Sequence, residues 1–202
     1  MDTKNENSKT AMKTTGTTLS ALVTIKTGYV FRSKPETSEK GNVRVIQNRD
    51  INDGVIDLTK LEKVTLPDSG RRECVRKGDI IFRSRGASFS FVQVTEDPGK
   101  DEVIVAGPLQ LIRVKDTKMV DPAYLVWALS QDDRQAEIES LAQGIAIRTV
   151  PKAALEGLEI DLPPVERQRK IVEVATLSAE IKRLSIELAE KQDALVQATL
   201  NK

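Results

Sequence analysis

The sequence predicts an α+β fold, a mixed and mainly β domain with its helices late, followed by one long C-terminal helix built for a coiled coil. Three observations predict it. Short apolar stretches recur about every ten residues between residues 19 and 114, separated by Gly, Pro, Asn and Asp, the spacing of antiparallel or barrel-like β-structure. At Asp121-Pro122 the pattern changes to that of a helix start, with Asp as N-cap and Pro at the first helical position. From Val165 to Leu200 the chain then runs without a Gly or Pro, and apolar residues recur at alternating steps of three and four. The expected division is a flexible N-terminus over 1–14, a domain over 15–162 and a helix over 163–202.

In chain order, LSALVTIKTGYVF (19–31) reads as a strand that alternates at Val23 and Ile25 and is broken by Gly28. NVRVIQ (42–47) alternates again, and Asn52-Asp53-Gly54 signals a turn before Val55–Leu58. Lys77-Gly78-Asp79 is a second turn, leading into Ile80-Ile81-Phe82. Further strands are expected around Phe89–Val94, over Val103–Val105 and over Leu109–Val114, the first two separated by the turn Asp97–Asp101. After the helix that starts at Pro122 comes a second helical piece over about 132–143, ending at Gly144. Residues 145–151 then read as extended, 152–156 as a helical turn and 158–162 as a last strand.

Composition narrows the function. The chain of 202 residues allows one domain plus an appendage. Aromatic residues make up 3%, so the core must be aliphatic. No apolar run reaches the roughly 18 residues of a membrane span, and the polar first twenty residues lack a signal-peptide core. With a single cysteine, Cys74, no internal disulfide forms and a cytoplasmic location is expected. Histidine is absent, which removes Cys/His zinc sites and histidine-based acid–base chemistry. No metal, no cofactor and no enzymatic activity are expected. Residues 21–90 hold 14 Lys/Arg against 9 Asp/Glu, and residues 91–162 hold 7 against 13. A basic half on a nearly neutral protein suits local binding of a polyanion, unless the two blocks interleave on folding.

The helix seam comprises Val174, Leu177, Ile181, Leu184 and Leu188, with Leu195 one heptad further on; it weakens at Lys191. At 1.5 Å per residue the helix is roughly 50 Å long. A rod of that length cannot bury its seam on one modest domain, so the seam is read as a dimer interface, with folding back as the alternative. Antiparallel pairing about a two-fold axis would set two domains on the order of 50 Å apart, about one and a half turns of B-DNA.

The candidate DNA-contacting residues are basic or small. Arg71, Arg72, Arg83 and Arg85 cluster with Arg76 and Lys77, and the planar fork of Arg grips phosphate or the guanine edge. Arg49 belongs to a looser set with Arg32, Lys34 and Arg44. The loop Ser84–Ser88 is rich in small residues that allow close approach to a groove, so Ser88 joins the set; a plain β-turn is the alternative. Gln143 and Arg148, flanking Gly144 near Thr149, form a second loop, because Gln can bond adenine with both amide groups; otherwise Gly144 is a helix cap. Tyr124 and Trp127 read as core, and Cys74 has no assigned role.

Several of these segments resemble type I restriction-modification specificity subunits. Lys77–Gly86 (KGDIIFRSRG) resembles their GDIL–S–G strand, and Asp121–Leu129 (DPAYLVWAL) their P-x-Y-L-x-x-x-L helix. Gly144–Leu162 is similar to the passage that ends in LPP, and Pro163–Val172 (PPVERQRKIV) to the PP-x-x-x-Q-x-x-I start of the spacer helix. Ile25-Lys26-Thr27-Gly28-Tyr29 matches a common start of the recognition domain. The likeness covers most of residues 20–200. Such subunits usually carry two target-recognition domains and two spacer helices, so this chain resembles a half-length form with one of each. The resemblance implies sequence-specific binding of double-stranded DNA, no catalysis, and methyltransferase subunits with a motor–nuclease subunit as partners; the seam makes a homodimer the expected assembly, with pairing to another half-subunit or a truncated remnant as the alternatives. A coiled-coil adaptor that joins proteins without touching DNA is the alternative.

Overall fold

The computed structural model describes residues 16–31, 37–52, 54–66 and 73–200; the predicted N-terminus 1–14 lies outside them. The first half of the domain is strand-rich: β1 Thr17–Thr18, the helical turn α1 Leu19–Leu22, β2 Val23–Thr27, β3 Val43–Ile46, β4 Ile51–Asn52, β5 Val55–Ile56 and β6 Lys63–Val64. Then come β7 Ile80–Arg83, β8 Ser90–Gln93, β9 Glu102–Val105 and β10 Leu109–Val114. The helices follow: α2 Pro122–Leu129, α3 Asp132–Ser140 and α4 Lys152–Glu156. After the short strand β11 Glu159–Ile160, α5 runs from Val165 to Leu200.

Two sheets organise the domain. One is antiparallel with strand order β2-β10-β7-β8. The other, β6-β3-β9, is mixed: β3 runs antiparallel to β6 and parallel to β9. The parallel pair departs from the antiparallel expectation, because β3 and β9 are joined by more than fifty residues that include β7 and β8, long enough for a crossover.

Strand alternation sorts the side chains into layers. Ile80, Phe82 and Ile112 face the helices, packing with Leu125, Leu129, Ile138 and Leu155. Ile81, Leu109 and Leu111 face the other way, against Ile46, Val103 and Val105 of the second sheet. The far side of that sheet buries Val43, Val45 and Ile104. A strand covered on both faces reads as a continuous apolar run, which is why Ile80-Ile81-Phe82 shows no alternation. Phe82 stacks on Phe91 with ring centroids 4.3 Å apart.

Residues 19–22 are a helical turn and not the start of the expected strand. Leu19 and Leu22 lie three apart, so one turn puts both into the helix-side core, and the Leu19 amide donates to the Leu158 carbonyl at 2.7 Å. The strand begins only at Val23. Gly28 sits where the sequence breaks: a β-carbon there would lie 2.2 Å from the Ala106 carbonyl oxygen, so only glycine lets this backbone approach the β9–β10 turn.

The turn before β7 carries a buried ion pair. Gly78 has φ +91, and Asp79, 2% exposed, accepts from the Arg76 amide at 2.7 Å. Its two carboxylate oxygens take Nε and Nη2 of Arg113 on β10, each at 2.7 Å. Arg113 also donates to the Cys74 carbonyl at 2.8 Å and pairs with Glu73. The bond to Asp79 holds the guanidinium pKa above its ordinary value. Asp79→Ala leaves Arg113 with only the half-exposed Glu73 as counter-charge and the Arg76 amide unpaired, and is expected to cost about 2–3 kcal/mol in urea unfolding. A cost below about 0.5 kcal/mol would contradict this account of the turn.

Candidate nucleic-acid interface and the projecting helix

The two loops picked out in the sequence meet in space. After β7 the chain runs alongside residues 148–150: the Val150 amide donates to the Ser84 carbonyl at 2.9 Å, and the Gly86 amide to the Arg148 carbonyl at 3.1 Å. Thr149 in turn exchanges both backbone hydrogen bonds with Gln143, at 2.9 and 2.8 Å. Residues 143–149 therefore close into a hairpin and are not the extended segment expected from the sequence. Gly144 makes the hairpin possible, since its φ is +102 and a β-carbon would fall 2.5 Å from the Ile147 carbonyl oxygen.

Beside this hairpin lies an open groove of about 690 Å³, lined by Gln47, Asn48, Arg49, Arg85, Thr149 and the Ala106–Pro108 turn. The arginines around it differ in what already holds them. Arg85 is exposed and meets no hydrogen-bond or ion-pair partner among the described residues. Arg49 pairs with Glu62 and lies 4.0 Å from Asp50. Arg83 is half-buried, and its Nη2 donates to the carbonyls of Asn48 and Ile51 at 3.0 and 2.9 Å. It thus braces the segment that carries Arg49. Arg148 donates to the Glu139 carbonyl and sits 5.7 Å from the Phe89 ring centroid.

Ser88 is exposed between Gly86 and the buried Phe89, and the Gln143 side chain is exposed at the foot of the hairpin. Arg71 and Arg72 lie outside the described residues. Gln47 and Asn48 were not singled out in the sequence. Their local signal was Asp50, three residues after Gln47, whose carboxylate accepts from the Gln47 amide at 2.8 Å and shapes the turn. Arg44, a weaker candidate, is tied to Asp101 at 2.9 Å and to the Leu58 carbonyl at 2.7 Å.

The second feature is α5. Its base is fixed by Gln168, which is fully buried. The Gln168 amide oxygen accepts from the Asp121 N–H at 2.9 Å, and its nitrogen donates to the carbonyls of Met119 and Pro163, both at 2.8 Å. Asp121 also caps α2 by accepting from the Ala123 amide at 2.9 Å, so one glutamine joins the starts of two helices. Tyr124 adds a bond from its hydroxyl to the Asp161 carbonyl at 2.8 Å, and burial raises its pKa. Tyr124 is core as expected, whereas Trp127 is half-buried and lines a cleft against α5.

Beyond this mount the helix leaves the domain. Val174, Leu177, Ile181, Leu184, Leu188 and Leu195 are all exposed, from 49% at Leu184 to 69% at Leu195. The seam does not fold back on the chain that carries it. On its flank Arg183 bridges Glu180 and Glu187, and Lys191 reaches Glu187 at 2.7 Å, spacings that support an exposed helix. Arg183 holds the Glu180 carboxylate below its ordinary pKa.

Residues 15–194 match the type I restriction modification DNA specificity domain, and the chain belongs to that family. It is similar to the Escherichia coli type I restriction enzyme EcoBI specificity subunit, 29% identical over 141 residues that cover 69% of this chain and 29% of the relative. A putative type I restriction enzyme MjaX specificity subunit from Methanocaldococcus jannaschii is 28% identical over 132 residues, 61% of this chain and 30% of the relative. The matches thus span about a third of the curated relatives' length. The fold is that of the HsdS subunit from Thermoanaerobacter tengcongensis, with TM-score 0.59, 20% identity and coverage of 84% of this chain and 39% of that one. A type I R-M system structure solved for its complex assembly and conformational transition gives TM-score 0.63, 20% identity and coverage of 93% and 45%.

Gln168→Met keeps the side-chain length but orphans the Asp121 amide and two carbonyls, and is expected to lower stability by about 2–3 kcal/mol in urea unfolding. A neutral effect would show that the helix is mounted by apolar packing alone.

Proposed function

We propose that the chain reads one half of a bipartite DNA site through the groove beside Arg85, and that two copies pair through antiparallel α5 helices. The observation that carries the reading is the convergence of the Ser84–Ser88 and Gln143–Thr149 loops on a groove with an uncommitted arginine. Arg85 has all five donors available for a guanine edge or a phosphate. Gln47, Asn48 and Gln143 supply amides suited to adenine, and Ser88 a hydroxyl. Arg49 and Arg148 take phosphate at the rim, and Arg71 and Arg72, outside the described residues, stay phosphate candidates on residue type alone. Arg83 acts through the backbone it braces and serves as a positioning residue.

The direction of helix pairing follows from charge. In the seam's heptad frame Arg167, Lys170 and Lys191 fall on core positions. Parallel helices would set each against its own copy, three like-charge contacts that destabilise pairing; antiparallel helices offset them. Antiparallel pairing places the two domains on the order of 50 Å apart and imposes its two-fold symmetry on the DNA site. The outer face of the paired helices is the surface for methyltransferase subunits and, in a full complex, a motor–nuclease subunit. The chain's own part is binding, without catalysis or cofactor. Among the described residues no helix is long and apolar enough to cross a membrane.

The test uses duplexes enriched from a random pool by the wild-type chain. Arg85→Ala is expected to weaken binding about tenfold. The loss falls on one base position if Arg85 reads an edge. If it holds a phosphate, the logarithmic salt slope becomes shallower by about one. Unchanged affinity, preference and slope would overturn the assignment of this groove.

A further inference from the structure

We infer that Ile145, at the apex of the Gln143–Thr149 hairpin, enters the major groove of DNA and reads a thymine by its 5-methyl group. The inference rests on the DNA-binding reading above and adds a specificity-determining residue to it. Ile145 is 106% exposed, more than any other large apolar residue among those described. A lone apolar side chain on a surface is ordinary, but this one is held out by a built turn. Gly144 packs so close to the Ile147 carbonyl oxygen that a β-carbon would lie 2.5 Å from it. That contact closes the turn and leaves Ile145 and Ala146 as its apex. Ile147, on the far side of the apex, is 51% exposed.

The apex leaves the domain at the same edge as the small-residue loop. Residues 84–86 and 148–150 run antiparallel, with the Val150 amide on the Ser84 carbonyl and the Gly86 amide on the Arg148 carbonyl. Thr149 lies between Arg85 and Gln143. The closed end of the hairpin therefore continues past Arg148 in the direction in which Gly86 leads to Ser88. Arg85, Gln143 and Arg148 are all exposed around it. Residues 83–95 and 140–155 hold three arginines and one lysine and not one Asp or Glu. An apolar tip in that setting is presented to a polyanion.

What DNA offers such a tip is limited. Among the base edges of the major groove the apolar group is the thymine 5-methyl. That groove, about 12 Å wide, admits a two-stranded ribbon, and the hairpin is the end of one. The neighbouring donors suit the same groove, because the adenine N6/N7 and guanine O6/N7 edges that fit Gln143 and Arg85 are displayed there. The branched β-carbon of isoleucine restricts its first side-chain torsion, so the tip meets the base with little rotamer freedom to lose. An apolar wedge in the minor groove would instead unstack a base step and bend the duplex, and would not distinguish thymine from uracil.

The test uses the full chain and the duplex that the wild type enriches, with each thymine replaced in turn by deoxyuridine. Uracil keeps every hydrogen-bonding group of thymine and loses the methyl. At least one replacement is expected to weaken wild-type binding about fourfold, the worth of one buried methyl group. Ile145→Ala should bind that uracil duplex and its thymine parent equally well, and should unfold in urea at the wild-type midpoint. Wild-type binding that no uracil weakens, or a thymine preference that survives Ile145→Ala, overturns the inference and leaves the Arg85 reading standing. An enriched site without thymine does the same. A wild-type chain that binds no duplex overturns both.

Discussion

A row of leucines that its own domain cannot cover is the constraint from which the rest of this structure takes its meaning. All six seam residues of α5 stand at 49% exposure or more, and water makes such a stripe unstable in isolation. A flexible tether would let the helix collapse onto the nearest apolar surface. The Gln168 bonds to the residues around the start of α2 prevent this by fixing the angle at which the rod leaves the domain. A hydrogen-bonded amide that is fully buried tolerates little reorientation, because any tilt leaves three backbone groups unpaired. The seam is thereby kept available to another helix.

The domain carries the same logic to its other end. The antiparallel sheet is buried on both faces, by helices on one side and by the second sheet on the other. That double packing leaves the strand ends and their loops as the available surface. Two buried polar anchors then shape it: Asp79 pins the turn before β7 to Arg113 on β10, and Arg83 at the end of β7 holds the backbone of residues 48–51. Arginines that look alike in the sequence thus have different duties. Arg113 and Arg83 are spent inside the fold, Arg49 is shared with Glu62, and Arg85 stands exposed with no side-chain partner among the described residues.

Much of this was legible from residue pattern. The α2 start followed from Asp121-Pro122, the strands after Gly78 from their apolar runs, and the exposed seam from its heptad spacing. The resemblance to specificity subunits supplied the family, which the domain match shows. The failures have physical causes. The strand placed at residues 19–22 failed because two leucines three apart also suit one helical turn. Residues 145–151 look extended because Ile145, Ile147 and Val150 alternate, yet Gly144 at positive φ folds them into a hairpin. Linear sequence could not separate Arg83 from Arg85, two residues apart on a strand end that turns one inward and the other out. Nor could it show Gln168 as a clamp, since a glutamine in a charged stretch reads as surface until Asp121, Met119 and Pro163 converge on it. The groove residues Gln47 and Asn48 escaped because their partner loops lie some forty and a hundred residues away.

The central claim is that α5 is a strut between two readers. Small-angle scattering with an absolute mass tests it most directly. The account predicts a particle of about twice 22.3 kDa, elongated, with two lobes separated on the order of 50 Å. A particle of 22.3 kDa at every concentration, or a dimer with its two lobes side by side, would contradict it.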